Sequence, residues 1–146
     1  MPTRTARTAW HGGLNDGSGQ VELSSSKVGT YDVSFPKRAA DEAGGTTSPE
    51  ELIAAAHSAC YAMQFSAVLG EAGGTVEALD VKADVSLGPD SAGGFKLTGI
   101  VLTVNGEVSG IDEAAFLEAA DVAKATCPVS KALTGVDIEL KATFEQ

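Results

Sequence analysis

Positive charge is scarce in this chain. Lysine and arginine together number 10 against 20 aspartate and glutamate residues, so the formal net charge is -10 over 146 residues. A surface of this sign does not attract a phosphate backbone, and electrostatic attraction supplies most of the affinity of non-specific nucleic-acid binding. We therefore expect no nucleic-acid partner.

Several familiar catalytic and metal-binding patterns are missing. The sequence contains no G-x-S-x-G elbow, no P-loop lysine pattern, no H-E-x-x-H motif and no Cys-x-x-Cys pair. Acyl transfer by a serine nucleophile and phosphoryl transfer on a P-loop therefore have no support. Cysteine occurs only as Cys60 and Cys127, far too few and too far apart for a disulfide scaffold.

A secretory signal is also missing from the start of the sequence. Arg4 and Arg7 are not followed by an apolar run before Gly12. We expect a cytoplasmic protein, a compartment in which thiols are kept reduced unless they are catalytic or sensing.

One uncharged run, residues 52–70, has nearly the length of a membrane-spanning helix. His57, Ser58, Gln64 and Ser66 interrupt it, and much of the remainder is alanine, which is only weakly apolar. We predict a buried helix and no membrane partner.

The chain length suits one domain with a single core, which we place over residues 1–146. Period-two patterns predict strands at residues 7–14, 20–25, 29–35, 78–87, 95–104 and 136–144. Helical spacing and helix-start signals predict helices at residues 49–69, 112–127 and 128–133. The order βββ-α-ββ-αα-β predicts an α+β fold in which a long central helix packs on one antiparallel, six-stranded sheet.

The long helix has a defined start and stop. Ser48 is followed by Pro49 at the first helical position and by Glu51 three residues after the cap, which is the pattern of a capping box. Gly70 supplies the stop.

For an uncharged helix of this length, we predict that side chains on nearly every face are buried. One sheet of a small domain covers only one side of a helix. A second copy of the same helix is the simplest cover for the other side. We therefore predict a homodimer with the helix at residues 52–69 in its interface.

The two thiols have different sequence contexts. Cys127 precedes Pro128 and can cap the short helix that follows, where backbone N–H groups favour a thiolate, and Lys131 adds positive charge nearby. Cys60 lies in an apolar helix that would raise its pKa, so its reactivity requires a positive partner such as Arg38. The alternatives are two inert buried thiols and a solvated arginine.

A metal site is a minority alternative. His57 and Cys60 are three residues apart and share a helix face, and Cys127 could supply a third ligand. The only other histidine is His11, and no second ligand pair occurs, so we predict no metal.

Two segments carry a family resemblance. Residues 47–60 read TSPEELIAAAHSAC and residues 127–133 read CPVSKAL. Together they resemble the OsmC/Ohr family, and the likeness covers essentially the whole chain in element order. The His-x-x-Cys form and the CPVSKAL segment are more similar to the osmotically inducible protein C branch than to the organic hydroperoxide resistance branch.

The resemblance implies a thiol peroxidase that forms intertwined homodimers and uses no metal, haem or other cofactor. Cys60 matches the peroxidatic cysteine and Cys127 the resolving cysteine that closes a disulfide with it. Arg38, in the segment FPKR, matches the active-site arginine, and Glu50 matches the active-site glutamate. The implied substrates are organic hydroperoxides and hydrogen peroxide, and the implied reductant is an external dithiol of the lipoyl or thioredoxin type. Pro36 and the cap residue Ser48 are mild departures from the family pattern.

Helix geometry separates the two adjacent glutamates. At about 100° per residue, Glu51 falls on the far side of the helix from Cys60, whereas Glu50 lies roughly 80° away and about 15 Å along the axis. Our hypothesis is that Glu50 orients the guanidinium of Arg38 at a composite site across the dimer interface.

Two other functions remain open from the residues alone. One is a non-enzymatic thiol redox sensor or small-ligand-binding module, and the other is a structural dimer with inert cysteines. Four large side chains could line a substrate pocket or fill the core, namely Met63, Phe65, Leu69 and Phe116, and we predict the core for each.

Overall fold

The computed structural model describes residues 1–145, and it divides into two compact units. The first unit comprises Met1–Leu52 and the second begins at Ile53. The prediction that they form one domain over residues 1–146 stays a prediction. Each unit contains its own three-stranded sheet.

The first unit contains the predicted three-stranded meander. Its strands are β1 (Arg7–His11), β2 (Ser18–Glu22) and β3 (Thr30–Val33), paired antiparallel in sequence order. Val21 on the central strand is buried. The strands are shorter than predicted, because turns occupy residues 14–16 and 24–26 and a short helix begins at residue 35.

A short helix, α1 (Phe35–Arg38), follows β3 and was not predicted. The hydroxyl of Ser34 accepts a hydrogen bond from the backbone N–H of Lys37 at 3.3 Å, and a proline stands at the start of the helix. A serine cap followed by proline is an ordinary helix-start signal. The helix places Arg38 at its last position.

The predicted long helix is confirmed as α2 (Pro49–Glu71). The hydroxyl of Ser48 accepts from the backbone N–H of Glu51 at 3.1 Å. The Glu51 carboxylate accepts from the hydroxyl of Thr47 at 2.5 Å, so the reciprocal bond runs to a side chain and not to the cap backbone. By length and composition alone, α2 is a helix that could cross a membrane.

In a single chain α2 is buried along one face and not all round. His57, Tyr61, Phe65 and Leu69 follow one another at a spacing of four and are 0% exposed. Met63, on the other side, is 71% exposed. Burial on every side was predicted for a homodimer, and one chain covers one face only, so that prediction stays a prediction.

The second unit contains β4 (Thr75–Pro89), β5 (Phe95–Ser109) and β6 (Ile138–Glu145). β4 and β5 form the predicted antiparallel hairpin, and β6 pairs with β5 in parallel. The single antiparallel six-stranded sheet is therefore corrected to two sheets of three strands. The chain between β5 and β6 forms α3 (Glu113–Thr126) and α4 (Pro128–Ala132), and a helical crossover of this kind connects parallel strands.

The core of the second unit contains the buried face of α2. Ring centroids lie 5.5 Å apart between Tyr61 and Phe65, 5.2 Å between Phe65 and Phe116, and 4.9 Å between Phe116 and Phe144. Phe65, Leu69 and Phe116 are core residues as predicted, whereas the exposed Met63 is not.

Candidate active site

The two cysteines lie together in the second unit. The Sγ atoms of Cys60 and Cys127 are 3.2 Å apart, and both thiols are free. A disulfide requires about 2 Å between sulfurs, so closing the bond takes a displacement of about 1 Å. Cys127 is fully buried and Cys60 is half-buried.

Two hydrogen bonds near the cysteines connect the helices that carry them. The Tyr61 hydroxyl donates to the carbonyl of Ala120 at 2.9 Å, and the Gln64 side-chain amide donates to the hydroxyl of Thr126 at 2.9 Å. Both bonds run from α2 to α3, so they fix the helix that carries Cys60 against the helix that ends at Cys127. Proline at position 128 then ends α3 and starts α4, with Cys127 between them.

The two thiols differ in acidity. Burial is the main cause that raises the pKa of Cys60, and the neighbouring Cys127 raises it further. Burial also acts to raise the pKa of Cys127, but the backbone N–H of Ser130, the Cys60 thiol and the Ser130 hydroxyl outweigh it, and that pKa is lowered. Of the two sulfurs, Cys127 is therefore the one whose surroundings favour the thiolate.

Arg38 and Glu50 form a close ion pair within the first unit. The Nε of Arg38 donates to the Oε1 of Glu50 at 2.9 Å, and its Nη2 donates to the same oxygen at 2.7 Å. Glu50 is only 8% exposed. The predicted contact is present, but it forms within one chain, which corrects the hypothesis that Glu50 reaches Arg38 across a dimer interface.

The end of one helix and the start of another position this pair. Arg38 is the last residue of α1, and Glu50 lies in the first turn of α2, where the helix dipole favours a carboxylate. The carboxylate spans two nitrogens of the guanidinium, so the plane of the arginine head group is defined.

An apolar cavity of about 420 Å³ lies beside Arg38 in the first unit. Its walls include Trp10 and Leu14, which are 41% and 60% exposed, together with Phe35 and Leu52. No spacing in the sequence links these side chains, because they come from separate elements that only the fold brings together.

A buried polar pair lies close to the dithiol and was not predicted. The Nε2 of His57 is 2.7 Å from the Oγ of Ser130. Burial lowers the pKa of His57, so the imidazole is neutral. His57 was considered above as a zinc ligand, but residues 1–145 contain no group of three or more histidine, cysteine, aspartate or glutamate side chains placed to hold a metal ion.

Comparisons with known proteins agree with these features. The family model for OsmC-like protein matches residues 41–141. Peroxiredoxin OsmC from Escherichia coli K12 is 42% identical over 136 residues, covering 91% of this chain and 93% of that protein. The organic hydroperoxide resistance protein of Xanthomonas axonopodis pv. citri is 31% identical, covering 95% of this chain and 96% of that protein. Among solved structures, the organic hydroperoxide resistance protein OhrB of Bacillus subtilis is 30% identical with a TM-score of 0.74, covering 95% of this chain and 98% of that one.

Proposed function

The chain belongs to the OsmC-like protein family, and we propose that it reduces organic hydroperoxides, and hydrogen peroxide, through a disulfide cycle between Cys60 and Cys127. Its enzyme class is thiol-dependent peroxidase, in keeping with relatives named peroxiredoxin and organic hydroperoxide resistance protein. The single observation that carries the cycle is the 3.2 Å separation of two free thiols that are far apart in sequence.

The first step oxidises Cys60. Its proton passes to the Cys127 sulfur, which leaves a thiolate at Cys60. That thiolate attacks the nearer oxygen of the hydroperoxide, and the O–O bond breaks as the S–O bond forms. The leaving alkoxide or hydroxide takes up the proton from Cys127 and departs as alcohol or water, while Cys60 becomes a sulfenic acid.

The second step closes the disulfide. The Cys127 thiolate attacks the sulfenic sulfur of Cys60, and hydroxide leaves and is protonated to water. The disulfide protects Cys60 from irreversible oxidation. An external dithiol of the lipoyl or thioredoxin type then reopens it by thiol–disulfide exchange.

Arg38 and Glu50 assist the first step in this proposal. The guanidinium of Arg38 favours the thiolate form of Cys60 and donates hydrogen bonds to the peroxide as negative charge moves onto the leaving oxygen. Glu50 acts through Arg38 as a positioning residue, and the 2.7 and 2.9 Å bonds between them support that role.

Substitution of Arg38 by lysine is expected to lower kcat/KM for hydroperoxides by about 10²-fold, because a single ammonium lacks the planar fork that binds Glu50 and the peroxide together. Steady-state peroxide consumption measures the effect. Lys37→Ala is the matched control, since Lys37 is the exposed neighbour and forms no ion pair with Glu50. Equal kcat/KM in Arg38→Lys and the unmodified protein would remove Arg38 from the mechanism.

Organic hydroperoxides are the preferred substrates in this proposal, in keeping with relatives named organic hydroperoxide resistance protein. An alkyl or aryl group gains free energy when it leaves water for an apolar site, and hydrogen peroxide has no such group. With a dithiol donor in excess, we expect kcat/KM to be at least about tenfold higher for the organic substrates. A preference for hydrogen peroxide would contradict this assignment.

The same assay separates the peroxidase from a redox sensor. A peroxidase consumes many equivalents of peroxide while the dithiol lasts. A single stoichiometric oxidation that the dithiol cannot renew would instead favour the sensor.

We also propose that the protein is a cytoplasmic homodimer. The exposed side of α2 supports this association, since residues 52–70 carry no charge and include the exposed Ala55, Ala59 and Met63. Sedimentation at micromolar concentration should give the mass of two chains. A monomer under those conditions would contradict the dimer.

A further inference from the structure

Two buried polar side chains near the dithiol have no role in the two catalytic steps described above. His57 lies one helical turn before Cys60, and Ser130 lies three residues after Cys127. His57 is 0% exposed and Ser130 is 5% exposed, and a contact of 2.7 Å joins them. They therefore connect the same two segments that carry the sulfurs.

The unpartnered nitrogen of His57 decides the direction of this hydrogen bond. Nδ1 is buried and has no hydrogen-bond partner among residues 1–145. Buried N–H groups without a partner are rare in proteins, so we place the single proton of the neutral imidazole on Nε2. Nε2 then donates to the Oγ of Ser130, and the Ser130 hydroxyl is free to donate elsewhere.

The sulfur of Cys127, three residues earlier in the chain, is an acceptor next to that hydroxyl. Ser130 and Cys127 are three residues apart across the start of α4, both are buried, and the Ser130 side chain is one of the causes that lower the pKa of Cys127. We propose that Ser130, held in place by His57, donates a hydrogen bond to the Cys127 sulfur and keeps Cys127 as the thiolate that closes the disulfide. Ser130 contacts a reacting atom, and His57 is a positioning residue that acts through it.

This inference rests on the proposed peroxidase function and concerns its second step. When Cys127 attacks the Cys60 sulfenic acid, the new S–S bond forms as the S–O bond breaks, and the hydroxide that leaves is protonated to water. Only the thiolate form of Cys127 attacks, so a donor that stabilises this form raises the fraction ready to react. Without Ser130, the sulfenic acid persists longer and is exposed to a second peroxide.

Few other titratable groups act on this sulfur. Burial, with smaller contributions from Asp121 and Cys127, raises the pKa of Tyr61, so its phenol stays protonated. Asp121, Lys124 and Lys131 line an open cavity that also borders Ser130. Cys60 is the thiol that titrates together with Cys127.

The decisive variants are Ser130→Ala and Ser130→Thr. Alanine removes the hydroxyl, whereas threonine retains it and adds one methyl group at a position that borders a cavity. Ser58→Ala is the matched control, because the Ser58 hydroxyl bonds the carbonyl of Ala55 on its own helix. His57→Leu tests the positioning residue, with thermal unfolding used to verify that each variant is folded.

Two measurements are made on each variant. In single-turnover mixing, the ratio of the disulfide-formation rate to the Cys60 oxidation rate should fall about tenfold in Ser130→Ala, since a hydrogen bond to a charged group is among the stronger ones. Sulfinic acid at Cys60 should rise in parallel, by intact mass. The threonine variant should restore the ratio to that of the unmodified protein, and His57→Leu should lower it. An unchanged ratio in Ser130→Ala, or a loss that threonine does not restore, would overturn the proposal.

The second measurement needs no peroxide. Ultraviolet absorbance of the thiolate, followed against pH in the reduced protein, should show a higher midpoint in Ser130→Ala than in the unmodified protein and in Ser58→Ala. Because this titration stands apart from turnover, it distinguishes failure of the Ser130 assignment from failure of the peroxidase function. An identical midpoint in all three proteins would refute the assignment even if the enzyme is a peroxidase.

Discussion

Replacement of Cys60 by serine should abolish multi-turnover consumption of hydroperoxides, lowering kcat/KM by at least about 10³-fold. A serine hydroxyl is a far weaker nucleophile than a thiolate, and it cannot form a sulfenic acid or a disulfide. The measurement is steady-state loss of an organic hydroperoxide with a dithiol donor in excess.

The substitution changes one atom and should leave the fold intact. Ser58→Ala on the same helix is the matched control and should retain turnover, because its hydroxyl bonds only within α2. Retained multi-turnover activity in Cys60→Ser would refute the assignment of Cys60 as the attacking residue. It would leave the buried dithiol without a catalytic role.

Replacement of Cys127 by serine should have the second-largest effect and a different signature. Cys60 is still oxidised once, but no internal thiol lies within reach of the sulfenic acid, so turnover stops after at most one cycle unless small thiols are added. With excess peroxide, intact mass should show Cys60 passing from sulfenic to sulfinic acid.

Addition of a small thiol is the control experiment for Cys127→Ser. A small monothiol added to Cys127→Ser should restore part of the turnover by attacking the sulfenic acid directly, and it should do nothing for Cys60→Ser. If Cys127→Ser matches the unmodified protein with a dithiol donor alone, then Cys127 does not resolve the sulfenic acid and the two-cysteine cycle is wrong.

Local signals predicted the helices well. The serine cap and proline at positions 48 and 49 mark the start of α2, and proline at position 128 marks the end of α3, because these residues act on the backbone next to them. The short helix α1 was missed although Ser34 and the proline two residues later are the same kind of signal. Four residues are too few to show a helical hydrophobic period.

Strand partners were less predictable than strand positions. The parallel pairing of β6 with β5 follows from the helices between them, a connection that an antiparallel hairpin does not need. The division into two sheets has no local signal, because alternation fixes which side chains share a face and not which strand lies alongside.

The site was predictable only in part. Helical phase separated Glu50 from Glu51, and the structure brings Glu50 to Arg38. The contact between His57 and Ser130 joins residues 73 apart in sequence, and neither residue has a spacing or flanking motif that points to the other. Pairs of this kind arise from the packing of α2 against the segment after α3, which is a property of the whole fold.

The central claim is that Cys60 and Cys127 bond to each other when the protein reacts with a hydroperoxide. The direct measurement treats reduced protein with one equivalent of an organic hydroperoxide, then applies intact mass and peptide mapping without reduction. The account predicts the loss of two hydrogen atoms per chain and one linked peptide pair containing Cys60 and Cys127 of the same chain. Stable oxygen adducts on Cys60 with Cys127 left as a free thiol would contradict it.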